Sequence, residues 1–322
     1  DERGKVIDQR RLPNDSIGDY LTHNVPKETY AVLEATRNWP FMYDLLAEHV
    51  DRVELAHPKE LKAIASAAVK TDQIDAKVLA HLARMNYLPI AYAAPVEIRD
   101  LRLWTRHREW LIGQRTQSKN RIQAVLASYN LVSPVTDLFG TTGREFLKEV
   151  MDKQLRPVSS RVIADNLSVI DQLDKRIQAL EEDQPLSEQQ EKAIKLLQTA
   201  PGIGRVHAVT ILAEIGDIQR FNNPKALCNW AGLTPRVRKS DRIERHGRIS
   251  KQGSPYLRSA MVRTAMVAAR VSPRWLKVYE RLTPRCGKRA ARVAIGRRLL
   301  TVVYHMLKNG QPYQVNDEQI KH

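Results

Sequence analysis

The sequence predicts an α/β N-terminal region followed by a longer, helical remainder. Three observations carry that expectation. Between residues 30 and 55 short apolar runs alternate with a helical pattern; from 96 to about 182 apolar residues recur at helical spacing over two long stretches; beyond 186 shorter helical patterns are punctuated by Gly and Pro. At 322 residues the chain can bury a substantial core and form two or three domains of roughly 100–200 residues each. The pattern changes place them at 1–95, 96–185 and 186–322.

In order along the chain, Asp1-Glu2-Arg3-Gly4 reads as a tight turn and Lys5 to Leu12 as a strand. Its hairpin partner would precede Asp1, which, with no initiator Met, points to a sequence that begins inside a domain. Tyr30 to Glu34 is a short apolar strand ending in an acid, Phe41 to His49 a helix and Arg52 to Leu55 a further strand. Lys59 to Val69 and Thr71 to Met85 are Ala- and Leu-rich helical segments, with Thr71 as an N-cap.

One long helix runs from Val96 to about Tyr129, with Leu101, Trp104, Leu111, Ile122 and Val125 on a stripe. A second, from about Ser159 to Glu182, sets Ile163, Leu167, Ile170, Leu173, Ile177 and Leu180 at steps of 4, 3, 3, 4 and 3, which is coiled-coil spacing. That stripe suits either pairing with a second chain or packing on the preceding helix. The rest is expected to be all-α: Glu188 to Thr199, Arg205 to Ile215, Pro224 to Trp230, a helix opened by Ser254-Pro255 and ending near Val271, and Arg289 to Lys308.

With 43% hydrophobic and 27% charged residues the composition is that of a globular protein, and no run approaches the ~18 apolar residues of a membrane span. Two cysteines, Cys228 and Cys286, are too few for a disulfide framework, and a reducing cytoplasm fits. The net charge of +16 is local. Residues 1–230 hold 31 cations and 31 acids, whereas residues 231–308 hold 20 cations and 3 acids, a net of +17. Such a block is the footprint of a phosphate-backbone partner. Arg102, Arg106 and Lys119 add a smaller basic face to the long helix.

Three groups of residues carry chemistry. Glu34 at a strand end, with Asp72 and Asp75 three apart on one helix face, offers the oxygen ligands that Mg²⁺ takes in phosphoryl transfer. Ala200-Pro201-Gly202-Ile203-Gly204-Arg205-Val206 joins two helices in the manner of a helix-hairpin-helix element, whose free N–H groups hold a DNA phosphate; an ordinary interhelical turn has the same pattern. Ser240 sits in a basic loop, where cations would lower a hydroxyl's pKa and stabilise charge on phosphorane oxygens. Ser250 and Ser254 compete for that role, although Ser254 already has a capping explanation.

Leu33-Glu34-Ala35-Thr36, Lys70-Thr71-Asp72-Gln73-Ile74-Asp75-Ala76, Pro201-Gly202-Ile203-Gly204, Gly232-Leu233-Thr234-Pro235 and Ile249 to Arg258, in that order, resemble the insertion-sequence-110 family of transposases over nearly the whole chain. The resemblance implies a RuvC-like, RNase-H-fold DEDD domain in which Glu34, Asp72 and Asp75 are the second, third and fourth acids. The first acid would lie on a strand before Asp1. It further implies a helical coiled-coil middle and a C-terminal transposase domain whose nucleophile falls on Ser240, followed here by Asp241 where many relatives have Gly.

The expected function is that of an RNA-guided recombinase in a bacterial or archaeal cytoplasm, close to the nucleoid. It would use Mg²⁺, donor and target DNA, a structured guide RNA and assembly as a dimer or tetramer. Gly202, Gly204, Arg205, Arg236, Arg238, Lys239, Arg242, Arg248, Lys251 and Arg258 would hold nucleic acid. The rival readings are a junction-resolving nuclease using metal-activated water and a non-catalytic nucleic-acid-binding protein.

Overall fold

The computed structural model describes residues 3–64, 72–184, 186–240 and 243–314. Contacts divide the chain into two compact units, Asp1–Pro95 and Val96–His322.

The first unit is α/β. After α1 (Ile17–Asn24) come β1 (Tyr30–Glu34), α2 (Trp39–His49) and β2 (Arg52–Ala56), then α3 (Pro58–Ile64), α4 (Asp72–Arg84) and β3 (Ile90–Ala91). β1 and β2 are parallel with Tyr30 opposite Arg52 and Glu34 opposite Ala56, while β3 runs antiparallel to β2. The crossover through α2 is what parallel pairing requires. α4 covers the sheet by placing Val78, Leu79 and Leu82 against Val32, Ala56 and Leu88. The starting ends of β1 and β2 are tied by side chains: the Tyr30 hydroxyl donates to Glu54, and Arg52 lies 4.2 Å from the Tyr30 ring centre. Burial and the Glu54 carboxylate push the Tyr30 phenol up to about 12. Glu54 is thereby occupied by Arg52 and Tyr30, and Glu34 stands at the opposite, carboxyl ends of the strands.

Lys5 to Leu12 does not form the expected strand. The segment has no regular hydrogen bonding and is tethered through Asp8, which accepts from Tyr20 at 2.7 Å and pairs with Arg10 at 2.7 Å. Thr71, the expected N-cap of α4, lies outside the described residues.

The second unit begins with α5 (Val96–Ser128), followed by α6 (Thr141–Lys153) and α7 (Pro157–Glu182). α5 and α7 form an internal hairpin. Leu111 packs with Leu173 and Ile177, and Ile122 and Leu126 pack with Ile163 and Ile170, while Leu167 and Leu180 line the same seam. The coiled-coil stripe is therefore used within the chain. Arg115–Asp174 and Arg108–Glu181 ion pairs bridge the two helices, and Trp104 Nε1 donates to the Leu180 carbonyl at 3.1 Å.

α8 (Glu188–Gln198), α9 (Arg205–Ile215), α10 (Pro224–Trp230), α11 (Pro255–Val271) and α12 (Pro273–Asn309) complete the unit, and Leu101 and Trp104 of α5 enter their core beside Ile211, Met261 and Leu299. α12 is broken at Gly287, where φ is 82° and ψ 158°, three residues after Pro284. Arg102 and Arg106 do not form an open basic face. Arg102 donates to the Ala213 and Glu214 carbonyls at 2.8 and 3.0 Å, closing the end of α9, and Arg106 grips the buried Glu214 carboxylate through Nε (2.9 Å) and Nη2 (3.1 Å). A buried carboxylate demands such a partner, and the amphipathic pattern could not reveal one 108 positions away.

The C-terminal region is not all-α. Between α10 and α11 stands an antiparallel ribbon, β4 (Pro235–Ser240) and β5 (Ile243–Ile249). No helix among the described residues is long and apolar enough to cross a membrane, and both cysteines are free.

Candidate functional site

The ribbon turns a segment expected as a loop into a projecting arm. Its register sets Ser240 opposite Ile243, Lys239 opposite Glu244, Arg238 opposite Arg245 and Val237 opposite His246, with a bulge near the base between Pro235 and Val237. Ser240 is the last residue of β4, so the connection at 241–242, which includes Asp241 and Arg242, lies outside the described residues, as do the side chains of residues 237–240 and 243–246.

The base of the arm is fixed where two turns interlock. Ser250 N donates to the Thr234 carbonyl at 2.8 Å and Lys251 N to the Gly232 carbonyl at 3.2 Å. Gly253 adopts φ 91°, and a Cβ there would collide with the Trp230 carbonyl; a Cβ on Gly232 would meet the Gln252 backbone. Ser254 then caps α11, its Oγ accepting from Leu257 N at 3.0 Å with Pro255 at the first helical position, as the sequence predicts. Arg258 belongs to this fastening: it is half-buried, burial pulls its guanidinium below the usual range, and it donates to the Ala231 carbonyl at 3.0 Å. Arg236, exposed, reaches the Ser250 carbonyl at 3.3 Å, and Arg248 and Lys251 are exposed along the same stem.

Two variants separate the clamp from the cap. Gly253→Ala should cost more than about 2 kcal/mol, from positive φ and the backbone collision together, lowering the thermal midpoint by about 5 °C or more. Ser254→Ala should cost about 1 kcal/mol through the lost cap, without disturbing the two interlocked turns. Equal midpoints for Gly253→Ala and wild type would show that the two turns do not interlock in solution.

The turn before α9 is likewise held from behind. Gly202 has φ 84°, and a Cβ there would approach the Thr264 carbonyl and the Ala268 nitrogen of α11 to 2.6 and 2.7 Å. Gly204 faces open space, so the first N–H groups of α9 are approachable. Arg205 is already engaged, pairing with Glu191 and donating to Gln184 at 3.1 Å.

Glu34 closes β1 half-buried, and Asp72 and Asp75 occupy the first turn of α4, with side chains outside the described residues. Among the described residues no three His, Cys, Asp or Glu side chains gather as a metal site.

A titratable group that sequence patterns pass over is His207. It borders a cavity of about 300 Å³ between α5, α9 and α11, lined also by Arg108, Glu109, Thr210, Tyr256 and Arg263. Burial, with the charges of Arg263 and Arg108, pulls the imidazole below its usual range. The cavity's cations are paired, Arg263 with Glu109 and Arg108 with Glu181.

Comparison with known proteins bears on both units. A DEDD-type IS110 transposase model matches residues 1–131, and the model described as "Transposase IS116/IS110/IS902 family" matches residues 194–280. The chain is similar to the transposase for insertion sequence element IS1111A of Coxiella burnetii, 25% identical over 98% of this chain and 86% of that protein. It is also similar to a probable family 20 transposase of Pseudomonas aeruginosa, 25% identical over 84% and 79%. The pilin gene-inverting protein of Moraxella bovis is 27% identical over 88% and 81%. Transposing and inverting relatives alike place the chain among transposases and site-specific recombinases, enzymes that act on DNA. With a DEDD transposase match at one end, an IS110-group match at the other and relatives aligned across both, the chain belongs to the IS110 family of transposases.

Proposed function

We propose that the chain cuts and rejoins DNA through Ser240, with Glu34, Asp72 and Asp75 of a RuvC-like domain holding Mg²⁺. The observation that carries this reading is the placement of Ser240 at the free end of a ribbon whose base is clamped by Gly232, Gly253 and Arg258. A nucleophile so mounted reaches a phosphodiester without exposing the core. Its Oγ attacks phosphorus, the bond to the leaving sugar oxygen breaks, and that oxygen takes a proton. Attack by a second strand's hydroxyl on the phosphoserine reverses the step and rejoins DNA. Arg236, Arg238, Lys239, Arg242, Arg248 and Lys251 hold the backbone and offset charge on the phosphoryl oxygens. The N–H groups beyond Gly202 and Gly204 take a further phosphate. In this reading Arg205 and Arg258 serve the fold first.

The acids suit the metal: all three supply hard carboxylate oxygens, and Glu34 lies at the carboxyl end of a parallel strand pair, where α/β sheets place ligands. When bound, the ion supplies Lewis-acid stabilisation of the phosphoryl group. The family resemblance extends the reading to a guide RNA, to a dimer or tetramer in which one subunit's acids meet another's serine, and to action at the nucleoid.

The test is to incubate the full chain with Mg²⁺, guide RNA and DNA carrying the element ends, then digest and search for a nucleotidyl peptide. An adduct on Ser240 is expected. Cleavage without any adduct would favour the junction-resolving nuclease, and binding without cleavage a non-catalytic protein.

A further inference from the structure

The wall of the cavity beside His207 is electrically balanced. Arg263 of α11 holds Glu109 of α5 by two hydrogen bonds, Nη1 to Oε2 at 3.1 Å and Nη2 to Oε1 at 2.5 Å, and Arg108 is matched by Glu181. His207 adds no charge near neutral pH, since burial, then Arg263 and Arg108, pull its imidazole below the usual range; its Nδ1 lies 3.3 Å from the Thr264 hydroxyl.

A phosphodiester does not suit such a wall. It offers acceptors only, and in the cavity it would face the Glu109 carboxylate, which is both an acceptor and a like charge. A nucleobase does suit it. A base carries donors and acceptors on its edges, and its flat faces need apolar surface, which Ile112, Val206 and Ala260 supply. The ion pair keeps capacity for such a ligand, because a guanidinium has N–H groups beyond those given to Glu109 and each carboxylate oxygen has a further lone pair. An aromatic ring is held ready: Arg106 lies over Tyr256 at 5.0 Å from the ring centre and is itself gripped by Glu214. At about 300 Å³ the cavity stands at the low end of small-ligand pockets, roughly 300–1,000 Å³, and admits one ring system rather than a length of strand.

The elements that wall the cavity also carry the groups expected to meet phosphates. Val206 and His207 belong to the first turn of α9, just beyond the open Gly204, and Tyr256 to the first turn of α11, just beyond the ribbon stem. We propose that the cavity receives a single nucleobase turned out of its stack, with Glu109 accepting from the base's N–H groups, Arg263 donating to its acceptors and Tyr256 against its face. The inference rests on the nucleic-acid part of the function proposed above and adds a contact to a base where that reading has contacts to phosphates.

The experiment compares the affinity of the full chain, at one salt concentration, for two DNA duplexes of about 30 base pairs, roughly three helical turns. They differ only in a single unpaired guanine, a base that offers O6 and N7 as acceptors and its N2 amine as a donor. An unpaired base escapes most of the cost of extrusion, so the wild-type chain should prefer the bulged duplex by about tenfold or more. Glu109→Gln removes an acceptor without changing size, and should cut that preference to about twofold or less while leaving affinity for the paired duplex within about twofold. Ser259→Phe, which fills the cavity without altering a charge, should abolish the preference in the same way; Glu109→Gln keeps the test decisive if the larger side chain disturbs folding. Tighter binding of both duplexes by Glu109→Gln would place a phosphate in the cavity and overturn the base site. Equal wild-type affinities for the two duplexes, or a preference that survives in Glu109→Gln, would overturn it too. A wild-type chain that binds neither duplex would overturn the function proposed above instead.

Discussion

Ser240→Ala is expected to abolish strand cleavage and covalent capture together, lowering turnover by at least about a thousandfold, while affinity for DNA stays within about twofold. Without the hydroxyl no phosphoserine bond can form, and a neutral group adds little to the attraction of a phosphate backbone. Folding should be unaffected, because the position ends a projecting strand and the clamp at Gly232 and Gly253 is untouched. Ser250→Ala is the matching control at the stem. Rejoining of DNA by Ser240→Ala at near wild-type rates would transfer the nucleophile's role to another group or to metal-activated water.

Asp72→Ala and Asp75→Ala should each remove divalent-metal-dependent cleavage at every metal concentration tested, by about a hundredfold or more, with the thermal midpoint changed by only a few degrees. α4 is anchored by Val78, Leu79 and Leu82, beyond these positions. The competing role is visible in the same place. Two acids in the first turn of a helix favour its dipole, and if that is all they do, both variants will melt slightly lower and cut DNA at the normal rate in Mg²⁺.

The helices were legible because an apolar face repeated every 3.6 residues marks the sequence itself. What such a face meets is not marked. The stripe from Ile163 to Leu180 fitted a second chain as well as an internal partner, and only the matching Leu111, Ile122 and Leu126 of α5 decide between them. The ribbon was hidden for another reason: Arg236, Arg238, Lys239, Arg245 and Arg248 fall in a pair of strands with few apolar residues, so the alternation that betrays a half-buried strand is missing. Lys5 to Leu12 shows the converse, a strand-like pattern that takes up no regular structure. Cations were legible as charges and not as bonds. Arg102, Arg106, Arg205 and Arg258 looked like phosphate ligands until Glu214, Glu191 and three backbone carbonyls were seen to hold them. Ser240 itself had no local signal beyond its basic neighbours; its candidacy came from the order of motifs along the chain.

The hairpin of α5 and α7 also sets a length. The 33 residues of α5, at 1.5 Å each, make a strut of about 50 Å, as long as roughly fifteen base pairs of duplex. Ion pairs between the two helices and the α6 cap at the far end resist bending. A strut of that kind acts as a ruler: adding one heptad to both helices would move its tip by about 10 Å, or three base pairs, and so change the spacing between whatever is held at its two ends.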